Sequence, residues 1–299
     1  MKRRIWITIC IVIVVMLGGE IYLRKSWGFC DTVLIQSDPD FEYIVQPNQK
    51  HYRFRKYVLY NEYCQRSESV DSSAFIILGL GDSVINGGTL TDQDSLATTR
   101  LSKSLTQLLQ RKVQVLNISA GSWGPDNCEA YLKRYGAFNA KIAFLLCSSH
   151  DAHDNINHQS VVDVNPSFPS SQYHIAYWEL LHRYLLPRLL RQKTPSEISK
   201  DGKSFNLGFQ QLINRFKVEN IPFFIWLHPD RTELVNENYN EEGTLIIDFC
   251  ENNSIHCIKG LDYMDIQDYR DEIHVNEKGQ KKITKILLDY LISLIDNKL

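Results

Sequence analysis

Two kinds of hydrophobic patterning divide the chain. Near the N-terminus, residues 5–17 form an almost unbroken apolar run, followed by Gly18, Gly19, Glu20 and then Ile21, Tyr22 and Leu23. From Ser73 onward, short apolar runs alternate with stretches of helical spacing. Runs at 75–78, 113–117, 142–146, 221–227 and 255–258 read as strands, because short continuous apolar segments suit strands covered on both faces. Pro222 is tolerated where a strand begins. Helical spacing over 95–111 comes from Leu96, Leu101, Leu105 and Leu109, and further helices are expected at 126–138, 172–192, 204–220 and 244–252. A closing helix over 276–296 has Asn276 as its cap. Alternating strands and helices predict an α/β fold with a parallel sheet and helices on both sides.

Residues 26–72 read as an irregular lead-in arm with short strands. Residues 41–45 alternate loosely and Pro47-Asn48-Gln49 is a turn signal. Tyr52, Phe54, Tyr57, Tyr60 and Tyr63 make this arm aromatic. Packing of the rings onto the main body is the expectation, and a carbohydrate-stacking surface is the alternative.

The apolar N-terminal run changes the picture of where the protein works. A helix over 5–23 would extend roughly 28 Å at ~1.5 Å per residue, close to the ~30 Å hydrocarbon core of a bilayer. Lys2, Arg3 and Arg4 precede it, and Arg24 and Lys25 follow it. This bias predicts a membrane anchor with the bulk of the chain on the extracytoplasmic side. A cleaved signal peptide is the rival, although no Ala-x-Ala site follows the run. The expected organisation is an anchor at 1–25, the arm at 26–72 and one α/β domain at 73–299.

Composition adds exclusions. The 299 residues are 43% hydrophobic and 23% charged with net charge -2, which fits a folded body and gives no global sign of nucleic-acid binding. Of seven cysteines, Cys10 lies in the apolar run and six follow it. No Cys-x-x-Cys pair occurs, which argues against a zinc ribbon. Cys147 reads as a buried thiol, and Cys250 with Cys257 is the pair closest to a local bridge.

The candidate chemistry sits where the predicted strands end. In open α/β sheets, ligands bind beyond the carboxyl ends of the strands. Ser83 follows the first strand, Gly121 and Ser122 the second, His150 and Asp151 the third, His228 the fourth, and Asp271 with His274 the fifth. A carboxylate three residues before a histidine can reach the imidazole and fix its tautomer, and the histidine can then activate a serine hydroxyl held in a strand-to-helix turn. Asp82 is expected to bond within that turn. The dense run His150-Asp151-Ala152-His153-Asp154, with His158 beyond, offers a rival chemistry, a divalent metal. Its spacing matches no zinc signature, so no metal and no cofactor are expected. Residues 154–157 are expected to open a polar loop covering substrate.

The segment from 73 to 296 resembles the SGNH (GDSL-like) hydrolase superfamily. Gly81-Asp82-Ser83 is similar to its nucleophile block, Asp271-Glu272-Ile273-His274 to its Asp-x-x-His block, and the stretch from Asn117 to Pro125 to its second block. The resemblance implies a three-layer α/β/α sandwich with a flavodoxin-like five-stranded sheet. It implies Ser83 as nucleophile, His274 as base and Asp271 as the orienting carboxylate. The oxyanion hole would come from Ser83, from Gly121 or Ser122, and from His150. His150-Asp151 stands where the family carries Asn-Asp; an imidazole N–H can also donate to an oxyanion. Asp151, Trp123 and His228 are expected to contact substrate. The implied activity is that of a serine esterase or O-acyltransferase acting on acyl, often acetyl, esters of cell-surface polysaccharide. A non-catalytic glycan-binding protein on the same fold, or a metal-dependent hydrolase using the 150–158 loop, are the alternatives.

Overall fold

The computed structural model describes residues 2–190, 200 and 202–296. It opens with α1 (Lys2–Trp27), whose residues are not buried by the rest of the chain. This helix is long and apolar enough to cross a membrane. The arm that follows holds β1 (Ile35–Asp38), β2 (Glu42–Val45), β3 (Gln49–Arg53) and β4 (Lys56–Tyr60). These strands pair antiparallel as two hairpins, β1 with β2 and β3 with β4.

Regular alternation begins at β5 (Phe75–Gly81), followed by α2 (Ser83–Asn86), α3 (Ala97–Leu109), β6 (Val113–Ser119), α4 (Pro125–Tyr135) and β7 (Ile142–Ser148). After β7 come α5 (Ala176–Glu179), a π-helical turn at Leu180–Leu185, and α6 (Leu186–Leu189). They form one continuous helical rod. The chain then runs through α7 (Gly208–Val218), β8 (Phe223–His228), α8 (Arg231–Asn236), α9 (Glu241–Asn252), β9 (Cys257–Lys259) and α10 (Glu277–Asp296).

The strands from β5 to β9 form one parallel sheet in the order β6-β5-β7-β8-β9. Numbered within the sheet this is 2-1-3-4-5, the flavodoxin-like order, with its switch point between β6 and β7 on either side of β5. The sequence expectation of a three-layer α/β/α body therefore holds. Successive side chains of β5 serve opposite layers. Leu78 and Leu80 pack with Tyr131 of α4 and Phe209 and Leu212 of α7, whereas Ile77 packs with Leu101 and Leu105 of α3 and Leu287 and Leu291 of α10. That two-sided burial explains why the strand segments read as continuous apolar runs. The part of 172–192 beyond Leu190 lies outside the described residues.

The arm holds short strands, joined by tight turns. The β3–β4 hairpin turns at Phe54-Arg55, both with left-handed backbone (φ 50° and 63°). Such turns usually announce themselves with Asn-Gly or Asp-Gly, and this one does not. Tertiary contacts hold it instead. Arg53 donates to Gly28 O at 2.8 Å, and the Phe54 amide donates to Trp27 O at 2.9 Å. Packing accounts for most of the arm's rings, as Tyr60 is buried and Tyr63 sits edge-on to Tyr135 and Phe138. Tyr57 is the exposed one, paired with Tyr52 at 5.1 Å. All seven cysteines are thiols, and Cys250 and Cys257 are hydrogen-bonded neighbours rather than a bridge. Cys147 is buried.

Candidate active site

The site is built from the loop after β5 and the loop before α10. Gly81 ends β5 at φ 151°, and a Cβ there would stand 2.2 Å from the carbonyl oxygen of Leu146 on β7. Only glycine lets the two backbones approach this closely while the chain turns. Asp82 caps the short helix α2, its Oδ1 accepting from the Val84 amide at 2.8 Å. Ser83 is therefore the first residue of α2 and is only partly buried.

Several buried side chains clamp this turn. Asn117 on β6 donates to Ile85 O at 2.8 Å, and Asn86 donates to Ser119 O at 3.1 Å. Arg66, wholly buried, donates to the carbonyls of Asn86, Gly88 and Thr91 at 3.1, 2.5 and 2.8 Å. Sequence reading did not single out Arg66. An arginine in a loop-rich arm carries no local sign that three carbonyls await it.

The second half of the site is the loop from 269 to 276. Arg270 N donates to His274 O at 2.9 Å, closing the loop on itself. The Arg270 guanidinium donates to Thr91 Oγ1 at 3.0 Å and Gly87 O at 3.3 Å, tying this loop to the segment after α2. His274 Nε2 then lies 2.8 Å from Ser83 Oγ, and His274 Nδ1 lies 2.9 and 3.1 Å from the two oxygens of Asp271. Asp271 Oδ1 also accepts the amides of His274 at 2.7 Å and Ile273 at 3.2 Å. With Nδ1–H turned toward the carboxylate, Nε2 is free to accept the serine proton.

Electrostatics fit that arrangement. Burial lowers the His274 pKa below its ordinary value, and the Asp271 charge opposes this only in part, so the imidazole is neutral near pH 7. Burial by itself would raise Asp271, but the His274 amide, the imidazole and the Ile273 amide outweigh it and hold the carboxyl below its usual range.

Gly121 and Ser122 form the turn after β6, with Ser122 at φ 57°. Tyr43 Oη donates to Gly121 O at 2.7 Å and to Ser122 O at 3.2 Å. Their carbonyls are thus held by the arm, and neither N–H finds an intramolecular acceptor among the described residues. Tyr43 is a second positioning residue that the sequence did not announce.

Three side chains expected at the substrate surface lie inside the fold. Trp123 is buried, with Nε1 donating to Tyr43 O at 3.0 Å and its ring 5.7 Å from Phe41. Asp151 is buried, with Oδ2 accepting the Ser148 amide at 2.7 Å. His228 is fully buried, and burial pushes its pKa down to about 4. Neutral, it donates from Nε2 to Ile273 O at 2.9 Å and stacks on Tyr269, so it braces the His274 loop. Trp123 and His228 are held inward by aromatic packing, and Asp151 by the Ser148 amide. Position on the rim did not report side-chain direction.

His150 is the half-buried member of the third block, beside buried Ser148, Ser149 and Asp151. Its Nε2 lies 3.7 Å from Asp82 Oδ2 and 3.8 Å from Asp154 Oδ2. Asp82 is wholly buried, and burial together with the Asp151 charge lifts its pKa to about 7 against the opposing pull of His150. Burial raises Asp151 and Asp154 as well. Asp82 Oδ2 and Asp151 Oδ1 have no hydrogen-bond partner among the described residues. Asp82, His150 and Asp151 each present a ligand atom within 4.8 Å of the others. The loop after this block is held down from two sides. Asp126 Oδ2 accepts the Ile156 amide at 2.7 Å, and Glu42 Oε1 accepts the amides of Asn157 and His158 at 2.8 and 2.9 Å.

No family model and no curated protein sequence matches this chain. Among solved structures it is similar to the psychrotrophic esterase EstA from Pseudoalteromonas sp., at 13% identity over 74% of this chain and 99% of that one, with a TM-score of 0.43. It is similar to Est24, a carbohydrate acetylesterase from Sinorhizobium meliloti, at 12% identity over 73% and 99% of the two chains, with a TM-score of 0.42. The M. smegmatis aryl esterase matches at 14% identity over 74% and 100%, with a TM-score of 0.43.

Proposed function

We propose that this chain is a membrane-tethered serine esterase or O-acyltransferase of the SGNH type, acting on the extracytoplasmic side. The observation that carries this reading is the relay from Asp271 to His274 to Ser83, with contacts of 2.9 and 2.8 Å across 191 residues of sequence separation. Ser83 Oγ attacks an acyl carbonyl while its proton moves to His274 Nε2. The carbonyl oxygen becomes an oxyanion, stabilised by the N–H groups of Ser83 and of Gly121 or Ser122, with His150 assisting from the open side. Collapse expels the alcohol, which takes the proton from His274 and leaves an acyl ester on Ser83. Water or a sugar hydroxyl, deprotonated by His274, then attacks that ester and regenerates the serine.

The apolar helix α1, with basic residues before it, supports an uncleaved anchor at 1–25. The arm at 26–72 joins it to the domain at 73–299. Acetyl esters of surface polysaccharide are the substrate class this location favours. The test is labelling by a fluorophosphonate probe and turnover of p-nitrophenyl acetate. Wild type should label and turn over, and Ser83→Ala should do neither while folding normally. Turnover retained by a folded Ser83→Ala protein refutes the serine mechanism. A wild-type protein that neither labels nor turns over ester points instead to a glycan-binding role.

A second reading has one observation in its favour, the Asp82–His150–Asp151 cluster with two carboxylate oxygens that lack a hydrogen-bond partner among the described residues. A divalent cation there would hold both acids ionised against their burial. Turnover that survives prolonged chelation excludes this reading, and loss restored by added zinc establishes it.

A further inference from the structure

The helical rod at 176–189 has two opposed faces. Its inner face is fixed to the arm by buried polar contacts. Glu179 and Arg53 form an ion pair in which both side chains are essentially inaccessible to solvent. Glu179 Oε2 also accepts the Cys30 amide at 2.6 Å, and Arg53 donates to Tyr184 Oη at 2.7 Å. Turning the rod about its axis would break this buried pair, which is costly once either charge is left alone. The outer face is consequently locked outward.

That outer face is apolar. Ile175, Trp178, Leu181, Leu185 and Leu189 are each between 38% and 73% exposed. Their three- and four-residue spacing places them along one side of the rod. The Trp178 and His182 rings stack at 5.4 Å on the same side. A continuous apolar row of this kind on a folded protein marks a surface that something covers.

The neighbouring element indicates the occupant. The rod begins against the last turns of α1. Glu20 accepts the amides of Ala176 and Tyr177 at 2.7 and 3.1 Å, and Arg24 pairs with Glu20 and with the carbonyl of His174. Tyr177 packs so closely on Gly19 that a Cβ there would lie 1.7 Å from its hydroxyl oxygen. Upstream of these contacts α1 stays exposed. The rod therefore starts where the apolar run of α1 gives way to Glu20, Arg24 and Lys25, at the level where a spanning helix would leave the hydrocarbon. Tyr22 is exposed at that level, as Trp178 is on the rod, and such rings favour the headgroup boundary.

We propose that the exposed Ile175–Trp178–Leu181–Leu185–Leu189 row is a second membrane contact, seated in the lipid headgroup boundary beside the point where α1 leaves the bilayer. The inference rests on α1 being membrane-inserted. The occupant is the lipid surface that α1 itself enters, since the row is continuous with α1's exit. An amphipathic rod in this position buries its apolar side at the headgroup–acyl boundary while Arg188 and Lys25 meet lipid phosphates. With two attachments, the domain has a fixed tilt over the membrane instead of swinging from one tether.

The test uses the full chain in vesicles of phosphatidylcholine and phosphatidylglycerol with bromine atoms high on the acyl chains. Trp6 and Trp178 each report through the emission lost on Trp6→Phe or Trp178→Phe substitution. The expected result is that brominated lipid quenches both components. A quenched Trp6 component beside an unquenched Trp178 component overturns the second contact and leaves the anchor standing. Two unquenched components overturn the anchor and this inference together. Leu185→Glu with Leu189→Glu removes apolar surface from two exposed positions and should abolish Trp178 quenching while leaving Trp6 quenching intact. Unchanged Trp178 quenching in that variant also overturns the proposal.

Discussion

Replacing Asp271 by Asn separates two roles of the carboxylate, its charge and its grip on the imidazole. On the proposed mechanism the charge faces the imidazolium that would form as Ser83 attacks. At a charge separation of about 4 Å and an effective dielectric of ~20, the attraction is about 4 kcal/mol. Asp271 is 47% exposed, so solvent screens it. Doubling the effective dielectric to ~40 leaves about 2 kcal/mol, or about thirtyfold in rate. The grip should survive. The His274 and Ile273 amides both donate to Oδ1, which also faces Nδ1. In Asp271→Asn those amides select the side-chain oxygen for this position, so Nδ1–H still finds an acceptor and Nε2 still faces Ser83. Asp271→Ala loses charge and orientation together, and a loss of about 10⁴ is expected, as for triads deprived of their tautomer control. The assay is kcat for p-nitrophenyl acetate over a pH series, with circular dichroism to confirm folding. The acid limb of Asp271→Asn should move to lower pH, because the carboxylate that raised the His274 pKa is gone. Equal losses in the two variants would refute the amide-locking argument. A loss under threefold in Asp271→Asn would show that the carboxylate does not stabilise the imidazolium.

On the proposed mechanism the active form carries neutral His274, so turnover should fall as pH drops through its pKa. Burial places that pKa below the usual 6.5, and a half-maximal point above 6.5 in the kcat profile would contradict this. Gly81→Ala should destabilise the fold by about 1–3 kcal/mol, since it combines a left-handed backbone with a clash against Leu146 O. Urea unfolding measures the loss, and an unchanged midpoint with full probe labelling would show that the β5–β7 approach can relax.

The order of apolar runs along the chain determined the layers of this protein. Strand and helix periods are local properties, and a βαβ succession leaves few topologies open. That Ser83, Asp271 and His274 come together at one rim was legible for the same reason, because each lies in a short stretch whose own turn or three-residue spacing fixes its place. The tertiary structure decided which rim residues face outward. Trp123, Asp151 and His228 occupy the expected strand ends yet point into the body, since side-chain direction depends on what packs around it. Arg66 and Tyr43 are decided the same way, as their partners are carbonyls far along the chain that no local pattern records. The β3–β4 hairpin and the outward-locked rod at 176–189 depend on Arg53, whose charge is satisfied by Glu179 from 126 residues away. Such long-range pairing leaves no periodic trace in a sequence, so folding alone brings it about.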